Sequence, residues 1–274
     1  MDEKRLDELK RVSAEVRKDI LRMVGIARSG PYETAIAAAN ILVYLYWEEL
    51  LIIPSEPRRA DRDRLVTDIT AAIPALYAVL ARRGFFEREH LWHYRRLGAM
   101  LQALPDYGRT PGIDAPCLLL QPSSAMAAAM AEELYSEKNM PHVFFLTLER
   151  SFQSDKFVAE MRRIGSLILP NLIAVIMSRD EKGIHAAKDK NIKLLKSFGW
   201  DVCRALSDDF NSLETAFKSF DFRTSAPKAL FVLADAEPGF TLSDLGKSAA
   251  ERSLRMDELD HALEELEVKL NEHQ

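Results

Sequence analysis

Apolar residues near the start of the chain recur at three- and four-residue intervals: Leu6, Leu9, Val16, Ile20 and Val24. That spacing lines one face of a helix and predicts a helix over 6–27, stopped by Ser29-Gly30-Pro31. The next stretch, 34–49, is apolar on nearly every side, which predicts a buried helix carrying one amide, Asn40. Pro54, Pro57 and the charged run Arg58 to Arg64 mark a loop, and Leu65-Val66-Thr67 reads as a short strand. Helical spacing resumes over 71–82 with Pro74 in the first turn, where a missing N–H costs nothing, and Gly84 ends it. A short helix is expected over 87–97 and an ordered, proline-rich loop over 104–121. The alanine- and methionine-rich segment 123–135 predicts a helix; its small residues Ala127, Ala128, Ala129 and Ala131 suit close contact with another helix or another chain, or plain internal packing.

The most informative stretch is 141–179. An apolar run, His142 to Leu148, leads through Glu149-Arg150-Ser151 into helical spacing at Phe152, Phe157, Met161 and Ile164. A second apolar run, Leu172 to Met177, follows. Two strands bracketing a helix form a βαβ unit, and ligands of open parallel sheets sit beyond the carboxyl ends of such strands, so Glu149 and Arg179 fall at the mouth of any site. Further segments (helix 189–198, strand 200–202, helix 212–219, strand 229–233) continue the alternation. The fold class expected is α/β, a parallel sheet with helices on both faces. Near the end, Met256, Leu259, Leu263, Leu266 and Leu270 form a short heptad seam, which either docks on its own domain or pairs with a partner. The expected organisation is a domain over 1–240 followed by an amphipathic helical segment over 241–274.

With 274 residues, 47% of them hydrophobic, the chain can bury a full core. Its formal charge of −5 gives no electrostatic reason to expect nucleic acid or an anionic membrane as partner. The two cysteines, Cys117 and Cys203, lack metal-ligand spacing, and no base stands near Cys117 to activate it. Together with a highly charged start, Asp2-Glu3-Lys4-Arg5, this predicts a cytoplasmic protein. His90 and His93 lack a third ligand and read as surface residues.

An ordered series of short motifs then adds to this picture. It includes Ile20-Leu21-Arg22-Met23, Ser29-Gly30, Asn40 to Val43 with Leu45-Tyr46, Asp61-Arg62-Asp63-Arg64, and Pro74-Ala75-Leu76-Tyr77-Ala78. It continues with Leu97-Gly98, Leu101-Gln102, Pro105-Asp106, Thr110-Pro111-Gly112, Asn171 to Val175 and Phe198 to Val202. From about residue 5 to 235 the series resembles the N-terminal, diphosphate-binding half of transketolase, which implies the thiamine diphosphate-binding fold.

The resemblance also implies a site. The family holds thiamine diphosphate through magnesium, bound by the Asp of a Gly-Asp-Gly turn and an Asn about thirty residues later, since magnesium takes hard oxygen ligands and glycines let backbone N–H groups approach a diphosphate. Here the turn reads Leu148-Glu149-Arg150, and Arg179, which has only donors, stands at the Asn position. The family's glycine-rich loop over the cofactor becomes Leu118-Leu119-Leu120-Gln121-Pro122-Ser123. Its histidines fall on Pro31, Ala71 and Leu104, which cannot transfer protons.

Every polar site position is changed while the scaffold stays legible, so the expectation is a fold kept and a chemistry lost. No catalytic residue, metal or cofactor is expected, and Leu118, Gln121, Ser123, Glu149, Arg150 and Arg179 are positions of a vestigial pocket, with Glu149 facing Arg179 or Arg150 in place of a cation. The function expected is that of a non-catalytic, transketolase-like subunit which works by association. The partner is a second copy, a chain like the transketolase C-terminal half, or a full-length paralogue. The alternative is the N-terminal subunit of a split transketolase that uses thiamine diphosphate and magnesium to move two-carbon ketol units between sugar phosphates. A third reading is an apolar ligand among Leu104, Leu118, Leu120 and Leu148.

Overall fold

The computed structural model describes residues 1–30, 32–116, 123–136, 139–179, 185–234 and 256–272. The amphipathic start forms α1 (Glu3–Ala27), capped where Asp2 accepts a hydrogen bond from the Arg5 backbone N–H at 2.7 Å. The apolar segment forms α2 (Glu33–Tyr44), buried as expected, and Asn40 meets the Ser13 hydroxyl on α1, which satisfies a polar group in an apolar layer. Past Tyr44 the chain continues as a wide turn over Leu45–Glu49, not as the regular helix expected there. Tyr44 donates to Glu49 across that turn at 2.7 Å.

The strands are β1 (Arg64–Thr67), β2 (Val143–Leu148), β3 (Leu172–Arg179), β4 (Asp201–Leu206) and β5 (Lys228–Ala234). They form one parallel sheet in the order β1-β2-β3-β5-β4. The helices between them are α3 (Ile73–Arg82), α4 (Ser123–Tyr135), α5 (Asp155–Gly165), α6 (His185–Ser197) and α7 (Phe210–Lys218).

Side chains alternate across a strand, so each strand feeds two cores. Phe144, Leu146, Ile173, Val175, Leu230 and Val232 join α1, α2, α3 and α7 on one face. Phe145, Ala174, Ile176 and Phe231 join α4, α5 and α6 on the other. Burial on both faces is why the strands read as continuous apolar runs.

The expected helix over 87–97 is only a short 3-10 turn, Arg88–His93. Left-handed backbone at Arg95 (φ 60°) and Gly98 (φ 78°) turns the chain away. His90 and His93 are exposed there, and the described residues hold no cluster of three or more metal-binding side chains. The tail forms α8 (Met256–Glu272), which docks on its own domain: Leu259, Ala262 and Leu266 bury against α1, and Glu267 reaches Lys18 at 3.4 Å and Arg22 at 3.9 Å. The side chains of Met256 and Leu270, also counted in the heptad seam, lie outside the described residues. No helix among the described residues is long and apolar enough to cross a membrane.

Candidate functional site

The sheet places all five carboxyl ends on one edge. β1 is followed by α3 on one face and β2 by α5 on the other, so the chain leaves these neighbouring strands in opposite directions. In open parallel sheets ligands sit where successive connections part in this way, which here points to the ends of β1 and β2, at Thr67-Asp68 and Leu148-Glu149.

Three features meet this edge. The first is the start of α4. Near its other end the Asn171 amide donates to the Ala131 carbonyl (3.0 Å) and the Pro141 carbonyl (3.1 Å), which pins that end beside the start of β2. Ser123 and Ser124 therefore lie toward the carboxyl edge, where first-turn N–H groups have no helical partner and the helix end is positive. Ser124 is buried and its hydroxyl has no hydrogen-bond partner among the described residues, an orphan that an anion at this helix end would satisfy.

The second feature is a carboxyl the strand pattern did not single out. Asp68, directly after β1, accepts a hydrogen bond from the Thr147 hydroxyl at 3.0 Å, and Thr147 stands 3.3 Å from the Ser151 hydroxyl. Burial pushes the Asp68 carboxyl up to about 6, opposed by the Thr147 hydrogen bond and by the positive charge of Arg150. Its position at a strand end was the available signal.

The third is Glu149, the first residue beyond β2. Asn191 of α6 donates through Nδ2 to Glu149 Oε1 at 2.9 Å. Nothing local announces this contact across 42 positions of sequence.

The expected positions thus separate. Ser123 and Glu149 come to the carboxyl edge, while Arg150 is exposed and among the described residues no ion pair joins it to Glu149. Arg179 is the last residue of β3, but its side chain lies outside the described residues, as do Leu118, Leu120 and Gln121; the expected Glu149–Arg179 pair therefore falls outside them. Leu148 is half-buried against the core and Leu104 is exposed. Cys117 also lies outside the described residues, and burial pushes the Cys203 thiol up to about 12.

Known proteins match this chain at the level of family, sequence and structure. A family model described as the transketolase, thiamine diphosphate binding domain matches residues 10–234. An apulose-4-phosphate transketolase subunit of Phocaeicola vulgatus is 25% identical over 232 residues, 82% of either chain. 6-deoxy-6-sulfo-D-fructose transketolase subunit SqwG of a Clostridium species is 34% identical over 131 residues, 48% of this chain and 47% of that one. Among solved structures, the Pichia stipitis transketolase in complex with sedoheptulose 7-phosphate superposes with a TM-score of 0.77 at 20% identity, which shows the shared fold. That match covers 97% of this chain but 44% of the other, so the chain spans less than half of that transketolase.

These matches overturn the expectation that no cofactor is used, because both the domain and its relatives point to thiamine diphosphate. The physical reason is that much of a diphosphate site is made of backbone. The positive start of α4 exists whatever its side chains are, so losing glycines and imidazoles does not abolish it. Ser123 and Ser124 at that helix start suit a diphosphate; for a metal the strand ends keep the Glu149 carboxylate, one methylene longer than Asp, while Leu148, Arg150 and Arg179 supply no side-chain oxygen. Matched over 10–234, the chain belongs to the transketolase family, through its thiamine diphosphate binding domain.

Proposed function

We propose that this chain is the N-terminal, diphosphate-side subunit of a split transketolase, transferring a two-carbon ketol unit between sugars together with a second chain that supplies the pyrimidine side. The observation that carries the reading is the match, over 82% of both lengths, to a protein named as one subunit of a transketolase. The parting of the connections at the carboxyl edge agrees with it. When bound, thiamine diphosphate supplies the electron sink for breaking a carbon–carbon bond beside a carbonyl.

This chain's own part is to bind and orient. The start of α4 would hold the diphosphate and Glu149 would offer its carboxylate to the accompanying magnesium, while Asp68 holds a proton on its carboxyl up to about pH 6 beside the Thr147 hydroxyl. Pro31, Ala71 and Leu104 carry no imidazole at the three positions where the family has histidine. The partner is a chain of the transketolase C-terminal-half type, in preference to a second copy of this one.

The test is calorimetric titration of thiamine diphosphate with Mg²⁺ into the chain co-purified with such a partner, followed by an assay of ketol transfer. Heat of binding and transfer that need both chains are expected. Absence of both in the assembled complex overturns the reading.

A further inference from the structure

Asp68 directly follows β1 and stands three positions before Ala71, where the family has histidine. It is half-buried, so it is partly withdrawn from water yet still open at the carboxyl edge. The Thr147 hydroxyl donates to Oδ2 at 3.0 Å, and Thr147 itself is fully buried, which fixes that donor in place. Among the described residues no other side chain donates to this carboxyl, so Oδ1 is left for a group outside the network. The charged neighbour acting on it is Arg150, from the turn after β2. Ser151 adds a hydroxyl 3.3 Å behind Thr147, and Glu149 turns to Asn191 instead.

An ordinary carboxylate is a poor substitute for an imidazole at neutral pH, because it is too weak a base. Withdrawal from water pushes the Asp68 carboxyl up to about 6, close to the range in which histidine exchanges protons. The strand end that lacks the imidazole thus carries another group able to take a proton and give it back.

We infer that Asp68 is the acid–base residue of this chain's half of the site, with Thr147 as the residue that positions it. The inference rests on the reading of the chain as a transketolase subunit. In the first half of the transfer, the Asp68 carboxylate takes the proton of the donor-sugar hydroxyl beside the bond that breaks. That oxygen becomes the carbonyl of the departing aldehyde, and the electron pair of the broken carbon–carbon bond goes to the electron sink. In the second half, the protonated carboxyl gives its proton to the carbonyl oxygen of the acceptor as the new bond turns it into a hydroxyl.

The test uses the chain co-purified with its partner subunit, thiamine diphosphate and Mg²⁺, with fructose 6-phosphate as donor and ribose 5-phosphate as acceptor. In the wild type, kcat/KM should fall as pH drops through about 6, because only the carboxylate accepts a proton. Infrared difference spectra of the complex without sugars should show a carboxyl gaining its proton over the same range. Asp68→Asn is expected to lose transfer by about 100- to 10,000-fold and to lack that infrared change, while still giving the heat of thiamine diphosphate binding. Thr147→Val removes a bond that holds the carboxyl down, so the rate profile and the infrared change should both move to higher pH. A merely structural role would move neither, and this variant carries the test should Asp68→Asn not fold. An Asp68→Asn complex that transfers at the wild-type rate, or a Thr147→Val profile that stays in place, overturns the inference alone. Absence of transfer by the wild-type complex overturns it together with the reading beneath it.

Discussion

Gly25 on α1 and Leu259 on α8 are in direct apposition: a Cβ built on Gly25 would lie 2.4 Å from Leu259 Cδ2, with two further atoms of the same side chain at 3.2 and 3.3 Å. The absent side chain is what lets the C-terminal helix lie flat on the first. Glycine inside a helix ordinarily costs about 1 kcal/mol relative to alanine, so Gly25→Ala should stabilise an isolated α1. In the whole chain the displaced Leu259 should cancel that gain and cost up to about 2 kcal/mol by overpacking. In a Leu259→Ala background the same substitution should turn stabilising. Urea denaturation of the four combinations checks the change of sign.

Asp68 makes stability depend on pH. Its folded pKa, about 6, lies above the ordinary carboxylate value of 3.8, so its contribution is fully present below that ordinary value and is lost as pH rises through about 6. Asp68→Asn removes the dependence. The variant should match or exceed the wild type at pH 8, by up to about 2 kcal/mol, and lose that advantage by pH 4. Denaturation midpoints of both proteins across this range decide it, and parallel curves would remove Asp68 from the account.

The Arg62 and Asp114 side chains, 5% and 3% exposed, form a buried ion pair between the segment preceding β1 and the long loop before α4. Arg62 also donates to the Asp63 carbonyl at 2.9 Å, and Asp114 accepts from the Leu65 N–H at 2.7 Å. Arg62→Met strands a buried carboxylate, and a loss of about 3–5 kcal/mol is expected. A loss below about 1 kcal/mol in chemical denaturation would mean that water reaches the pair.

Ser124 carries a buried hydroxyl with no partner among the described residues. Replacing it with alanine removes an unmet polar group and should raise the stability of the ligand-free chain by about 1 kcal/mol. The same variant should bind thiamine diphosphate more weakly. Melting temperatures of the chain alone, and of its complex with the partner subunit in the presence of the cofactor, give the two opposite signs; a variant that melts lower in both states counts against the orphan hydroxyl.

The strands and most helices were legible because their signals are local. Phe144 to Leu146 and Ile173 to Val175 are short apolar runs that only a strand buried on both faces accommodates. The short turn at Arg88–His93 was less legible: the left-handed backbone at Arg95 belongs to a type of residue that seldom adopts it. At the site, Glu149 was found from its place after a strand, but its contact with Asn191 was not, because that donor lies on a helix 42 positions further along the chain.

The sequence by itself determined the alternation of strands and helices, the parallel sheet and the likeness to transketolase, since hydrophobic period and motif order are properties of neighbouring residues. The tertiary structure decided that the C-terminal heptad seam docks on α1, that Asp68 becomes a half-buried acid, and that Asn191 meets Glu149. Each of these depends on groups distant in sequence sharing one desolvated volume, and the energies that matter there, burial of charge and pairing of polar groups, arise only once the chain has closed around them.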